Sequence, residues 1–275
     1  MNFGSMRGLA IAALAGAGMT MAATAASAAQ CGNGPEGFGA WLAQFKQEAA
    51  AAGIRPAVIN AALGDVAYDR RVIGLDRNQK HFRVSFEKFI ANRVSPGRIA
   101  KGRQMMQRHA STLRRIEQQY GVPGEIVVAI WGMETDYGVV RGNTPAFRAL
   151  STLAYDCRRS SFFTRQLMDA LRVVQRGDLS PQQMRGAWAG EIGQAQFMPS
   201  AYYNYAVDYD GNGHADLINS SADTLGSIAN YLRGHGWSRG AGYHPGQPNF
   251  AVMREWNKAE VYARALGYFA DKLKN

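Results

Sequence analysis

The chain has 275 residues, 47% hydrophobic and 19% charged, which excludes a disordered polyelectrolyte. With 9 Pro and 31 Gly it is neither collagenous nor of low complexity, and its length allows one large domain or two small ones. Lys and Arg outnumber Asp and Glu by 31 to 21, and the net charge of +10 calls for an anionic partner: nucleic acid, a membrane surface or an acidic polymer.

The N-terminal residues narrow that choice. Arg7 precedes an uncharged apolar stretch from Leu9 to Met21, and Ala26-Ser27-Ala28 offers a small-x-small cleavage site. This order predicts a secretory signal peptide over 1–28 and a mature unit over 29–275; the alternative is an uncleaved anchor, for which the stretch is short. Gln30 precedes Cys31 where lipid attachment wants a small residue, so lipoprotein anchoring is not expected. No later segment reaches the ~18 uncharged residues of a membrane-spanning helix. Export argues against nucleic acid as a partner. It also puts Cys31 and Cys157, the only cysteines, in an oxidising compartment where a disulfide can persist; the alternative is two unpaired thiols.

Helical periodicity dominates the mature unit. Phe38, Trp41, Leu42, Phe45 and Ala49 form one apolar face ending at Gly53. Ser95-Pro96 reads as a cap and first turn, followed by a long helix to Gly121 with Ile99, Met106, Leu113, Ile116 and Tyr120 inward. Pro123 opens the next helix, and others are expected over 160–176, 199–207, 223–232 and 257–273. Only Val139-Val140 and the segment 243–250 suggest short extended pieces, and 234–248 reads as the one long irregular connection. The expected fold is mainly α with minimal β, in two lobes around a cleft.

Three stretches carry chemistry. In Ala129-Ile-Trp-Gly-Met-Glu-Thr-Asp-Tyr-Gly138, Glu134 follows Ile130 by four residues and Val127 by seven, so it lies on the apolar face of its helix. A carboxyl held there has its charged form disfavoured and can donate a proton near neutrality. The plainer reading is a Glu solvated or locally paired near a helix end. Spacing identifies no second carboxylate of the kind that two-carboxylate glycosidases use, Asp136 included. In Gly190-Glu-Ile-Gly-Gln-Ala-Gln-Phe-Met-Pro-Ser200, the amides of Gln194 and Gln196 and the Ser200 hydroxyl sit beside Phe197 and three tyrosines, a mixture suited to sugars. An ordinary loop and helix start explains the same residues.

The third stretch, 208–223, opens like an EF-hand calcium loop. Asp208, Asp210, Asn212 and Asp216 fall at positions 1, 3, 5 and 9, with Gly213 at 6 and the His214 carbonyl at 7. Position 12 is Asn219 rather than Glu, and Asp223 could supply the missing carboxylate. Calcium held this way would be structural; the alternative is an Asx-rich turn without an ion.

Taken together, GMETDYG, LAYDCRRSSFF, GEIGQAQFMPSAYYNYAVDYDGNGH and SIANYLRGHGW resemble the membrane-bound lytic murein transglycosylase B family, glycoside hydrolase family 103, from about Phe38 to Leu273. The resemblance implies a lysozyme-like α-helical fold and a periplasmic enzyme. It further implies non-hydrolytic cleavage of the MurNAc–GlcNAc bond of peptidoglycan, leaving 1,6-anhydro-MurNAc ends. Glu134 is then the sole acid and base, assisted by the substrate's acetamido group, and no cofactor is required for the chemistry. Ser200, Arg158, Arg159, Gln196, Tyr231, Asn257 and Tyr262 are implied as substrate-binding residues, the arginine pair for lactyl or peptide carboxylates. Trp256 stands where the family usually has Tyr. The calcium loop is implied too, with Asp208, Asp210, Asn212, His214 and Asp223 as ligands. The implied partners are peptidoglycan glycan strands and other cell-wall enzymes, with no nucleic acid and no integral membrane segment in the mature chain. The competing functions are a lysozyme-type hydrolase on the same fold, a non-catalytic murein-binding scaffold, and a secreted calcium sensor, which would need a second EF-hand.

Overall fold

Caps and prolines divide the chain into short helices. The computed structural model describes residues 30–79 and 84–274, so the segment expected to be a signal peptide lies outside the described residues. In order the helices are α1 Phe38–Ala51, α2 Pro56–Leu63, α3 Arg70–Arg77, α4 Phe86–Arg93, α5 Pro96–Arg108, α6 Ala110–Tyr120 and α7 Gly124–Thr135. They continue with α8 Ala146–Tyr155, α9 Ser160–Arg176, α10 Pro199–Tyr205, α11 Ser221–Gly234, α12 Pro248–Trp256 and α13 Glu260–Lys274. Two strands, β1 Thr144–Pro145 and β2 Arg185–Gly186, pair antiparallel. Side chains of Asp69, Ser85, Ser95 and Ser220 accept first-turn N–H groups of α3, α4, α5 and α11. Proline opens α2, α5, α10 and α12, where its missing N–H leaves nothing unpaired.

The helices pack in two groups. One holds α1, α2, α3, α8, α9 and α10; the other holds α4, α5, α6, α7, α11, α12 and α13, with α10 meeting α11 between them. Helix α7 is the axis of the second group, in contact with α5, α6, α11 and α13. Ile126, Val127, Val128, Ala129, Ile130 and Trp131 are all buried, so α7 is apolar around its full circumference, as a core helix must be. Cys31 and Cys157 form a disulfide, Cα atoms 5.0 Å apart, which ties the first described residues to the corner between α8 and α9. Among the described residues no helix is long and apolar enough to cross a membrane.

Several expected elements differ. The long helix expected from Pro96 breaks at His109 (φ −104°, ψ 19°), which re-aims α6 so that Leu113 and Ile116 reach the core and puts the His109 ring edge-on to Trp131. Val139 and Val140 are not a strand: they lie exposed in the loop after α7, without a partner strand to reward their β-branching. The segment 243–250 is not extended either, because Pro248 starts α12 there. The buried Asn249 side chain holds the irregular stretch before α12, accepting from Ser238 N–H and donating to the Ser238 and Ala241 carbonyls. The last helix begins at Glu260 rather than Asn257, whose side chain instead accepts the Ala259 N–H in the corner after α12.

Candidate active site

Helix α7 ends abruptly just past Glu134. Asp136, Tyr137 and Gly138 have φ of 50°, 62° and 81°, three successive left-handed residues, two of them not glycine. Surrounding groups hold this strained turn. Arg98 and Lys101 pair with the Asp136 carboxylate, and the Tyr137 hydroxyl donates to the Arg98 carbonyl. Gly132 makes room for the Tyr137 ring, which a Cβ there would meet at 2.7 Å. Asp136, weighed as a second carboxylate, thus holds the turn after α7 and does not line the cavity.

The segment 190–200 is stitched to this turn. Thr135 Oγ1 donates to the Gln194 carbonyl at 2.6 Å, and Trp131 Nε1 donates to Gln194 Oε1 at 3.0 Å. Gly193 (φ 73°) lies so close to the Leu217 carbonyl that a Cβ would stand 2.6 Å from its oxygen, so glycine is required there. Gln194 is therefore buried and structural. Gln196, left-handed at φ 50°, donates to the Arg141 and Gly193 carbonyls and faces the cavity.

A cavity of about 510 Å³ opens where the two helix groups meet. Glu134 of α7, Phe162 and Gln166 of α9, Glu191, Gln196, Phe197, Met198, Ser200, Tyr205, Tyr231, His235, Glu255, Trp256 and Asn257 contribute to its wall. Among the described residues no Lys or Arg lines it, although the chain is strongly basic. Its groups are amides, hydroxyls, flat rings and carboxylates. Tyr231 stacks on His235 with ring centroids 4.0 Å apart and meets Trp256 edge-on.

Glu134 is half-buried in this wall. Its Oε1 accepts two hydrogen bonds, from the Tyr262 hydroxyl at 2.5 Å and Trp256 Nε1 at 2.9 Å. Burial pushes the carboxyl pKa up; the two donors and the Arg93 charge oppose the rise, and Glu191 adds to it. With Oε1 committed as a double acceptor, the acid form carries its proton on Oε2. Tyr262 stands buried behind Glu134, and its hydroxyl is held well above the usual tyrosine range by burial and by that carboxylate.

The structure brings Glu134, Gln196, Ser200, Tyr231 and Asn257 into one cavity, with Tyr262 touching it through Glu134. It does not bring in Arg158 and Arg159. Asp76 is buried on α3, and a buried carboxylate needs charged partners: Arg158 bonds both its side chain and its carbonyl, and Arg159 pairs with its other oxygen. Both side chains keep over a third of their surface exposed, and neither lines the cavity. Glu191 and Glu255 were missed in the sequence as cavity groups. For Glu191 a signal existed, a carboxylate inside a Gly- and amide-rich segment.

At the far end of α10, one carboxylate oxygen from each of Asp208, Asp210 and Asp223 lies within 4.8 Å of the others. Asp223, fully buried in the first turn of α11, accepts the N–H groups of Tyr209, Asp210 and Asp216. The Asn212 side chain accepts the His214 N–H, and Asp216 turns away to cap Ile218 and Asn219. The all-oxygen donor set suits a hard cation.

Residues 37–246 match the family described as Transglycosylase SLT domain. The chain is 38% identical to membrane-bound lytic murein transglycosylase B of Escherichia coli (strain K12), over 57% of this chain and 45% of that protein. The match thus spans less than half the length of that relative. The fold is similar to SltB3 of Pseudomonas aeruginosa, solved in complex with NAG-anhNAM-pentapeptide (TM-score 0.82, 31% identity, 87% of this chain and 80% of that one). It is also similar to the Escherichia coli lytic transglycosylase Slt35 in complex with calcium (TM-score 0.76, 26% identity, 90% of this chain and 96% of that one).

Proposed function

This chain belongs to the Transglycosylase SLT domain family, and on that footing we propose that it is a lytic murein transglycosylase acting on the MurNAc–GlcNAc bonds of peptidoglycan. The observation that supports this most directly is Glu134: a carboxyl with a raised pKa, one oxygen fixed by Tyr262 and Trp256, in a cavity of rings and amides. The Glu134 proton on Oε2 passes to the glycosidic oxygen as the bond to the anomeric carbon breaks. The carbonyl oxygen of the same sugar's acetamido group bonds to that carbon. The Glu134 carboxylate, held by its two donors, then takes the proton of the C6 hydroxyl as this oxygen displaces the acetamido oxygen and closes the anhydro ring. No water is consumed.

Ser200, Gln196, Tyr231 and Asn257 would hold the sugars, and Arg158 and Arg159 would meet peptide carboxylates beyond the cavity rim. The signal peptide of 1–28 and the mature unit of 29–275, placed in the periplasm among other cell-wall enzymes, belong to the same proposal. Mass spectrometry of murein digests tests it: anhydro-ended fragments are expected, and fragments one water heavier would sink it. One observation favours that rival. Glu191 is a second carboxylate in the cavity, and two-carboxylate hydrolases use such a pair to activate water.

The geometry sets two further outcomes. Tyr262→Phe removes a donor that favours ionised Glu134, so the Glu134 pKa should rise further and the alkaline limb of the pH–rate profile move to higher pH; an unmoved limb would show that the bond is idle. We also propose that Asp208, Asp210, Asn212, the His214 carbonyl and Asp223 hold a calcium ion that pins the loop before α11. Calcium at a hundred times its dissociation constant should add about 2.7 kcal/mol of stability, seen as a higher melting temperature. EDTA should reverse the gain, and Asp223→Asn should abolish it.

A further inference from the structure

Glu191 has no task in the proton transfers of Glu134. It sits between two left-handed glycines, Gly190 and Gly193, with its carbonyl accepting the Ala187 N–H and its Oε2 accepting the Ala189 N–H at 3.2 Å. The side chain is half-buried on the cavity wall, and among the described residues it forms no ion pair with Lys, Arg or His. Burial raises its pKa, while its own and the Ala189 amides and the more distant Arg159 charge favour the ionised form. A carboxylate kept in a ligand cavity without an ion pair is costly unless a ligand donor completes it. Among the donors a murein sugar brings close to Glu134, the acetamido N–H alone gains positive charge as the acetamido oxygen attacks the anomeric carbon. A nearby anion is rewarded most there, because the interaction strengthens towards the transition state.

We propose that Glu191 is a second catalytic carboxylate, accepting the N–H of the attacking acetamido group, aligning it and countering the charge on its nitrogen. This rests on the transglycosylase reading of the site. No bond to Glu191 forms and no proton is transferred to it. The proton traffic stays with Glu134, so Glu191 serves ring closure without activating water.

The test uses wild type, Glu191→Gln and Glu191→Asp on murein glycan strands, with products weighed. Glu191→Gln should lower kcat about a hundredfold with KM changed by less than about threefold, and Glu191→Asp should recover part of the loss. The thiazoline of N-acetylglucosamine, a stable mimic of the cyclised acetamido group, should bind Glu191→Gln at least about tenfold more weakly than wild type. A merely structural role would not move that affinity while sparing KM. The groups facing Glu134 are Arg93, Tyr262, Trp256 and Glu191. Removing the Glu191 charge should therefore also shift the alkaline limb of the rate profile to lower pH. Anhydro products from wild type with Glu191→Gln within about threefold of its kcat would overturn this inference alone. Hydrolysed products from wild type would overturn the transglycosylase reading, and the inference with it.

Discussion

Glu134→Gln should cut the release of anhydro-ended fragments by about a thousandfold or more while the protein still binds murein. The amide is nearly isosteric, and its carbonyl can still accept from Tyr262 and Trp256, so the cavity wall should survive. What it lacks is the proton on the second oxygen and the basicity to take one back. Stability should move the other way. A carboxyl whose folded pKa is raised binds its proton more tightly folded than unfolded, so its penalty on stability is absent below the ordinary carboxylate range. The penalty grows as pH rises from there and is complete above the raised folded value. The Gln variant escapes it and should melt higher than wild type near neutral pH and equally at low pH. A variant that stays lytic would dismiss Glu134 as the acid; one that melts lower at neutral pH would dismiss the electrostatic account of its burial.

Opening the Cys31–Cys157 bridge should cost about 5 kcal/mol, because the two residues are 126 apart in sequence. For a chain of this size that corresponds to a melting temperature lower by roughly 10–20 °C. The bridge is flanked by hydrogen bonds between Gly32 and the Tyr155 and Cys157 backbone. Next to it Asp156, buried, pairs with Arg77, and Asp76 with Arg158 and Arg159. Losing the bridge should therefore loosen α3 and the start of α9 first, which amide exchange would locate. A Cys31→Ser, Cys157→Ser protein melting within about 3 °C of wild type would show that those ion pairs keep the loop closed unaided.

What the sequence made legible was local. Helix α7 declared itself by an uninterrupted apolar run, because that signal lies within the residues whose structure it sets, and α9 occupies the 160–176 expected of it. Helix α12 was hidden by its Gly- and Pro-rich approach, and β1 and β2 are too short to leave a pattern. The position of Glu134 on an apolar face was readable from spacing. Its two donors were not, since Trp256 and Tyr262 lie more than 120 residues away and reach it only through the packing of α12 and α13. The arginine pair fails for the same reason. Nothing near Arg158 in sequence announces Asp76, 82 residues earlier, as the buried charge both arginines answer.

The packing of α1 and α2 against α8 and α9 bears on how the chain comes to be folded at all. Synthesis runs from the N-terminus, so Trp41, Phe45 and Leu63 leave the ribosome long before Ser160 to Arg176 exist to cover them. Until then their apolar faces have no shelter in the chain itself, and Cys31 has no thiol to join. The first helix group cannot close until α8, α9 and α10 have emerged, and the second cannot close until α13 has. Such long-range closure is slow and leaves sticky surface open meanwhile. The covering of α1 and α2 and the Cys31–Cys157 bridge thus both wait on residues more than a hundred positions further along the chain, independent of the chemistry in the cleft.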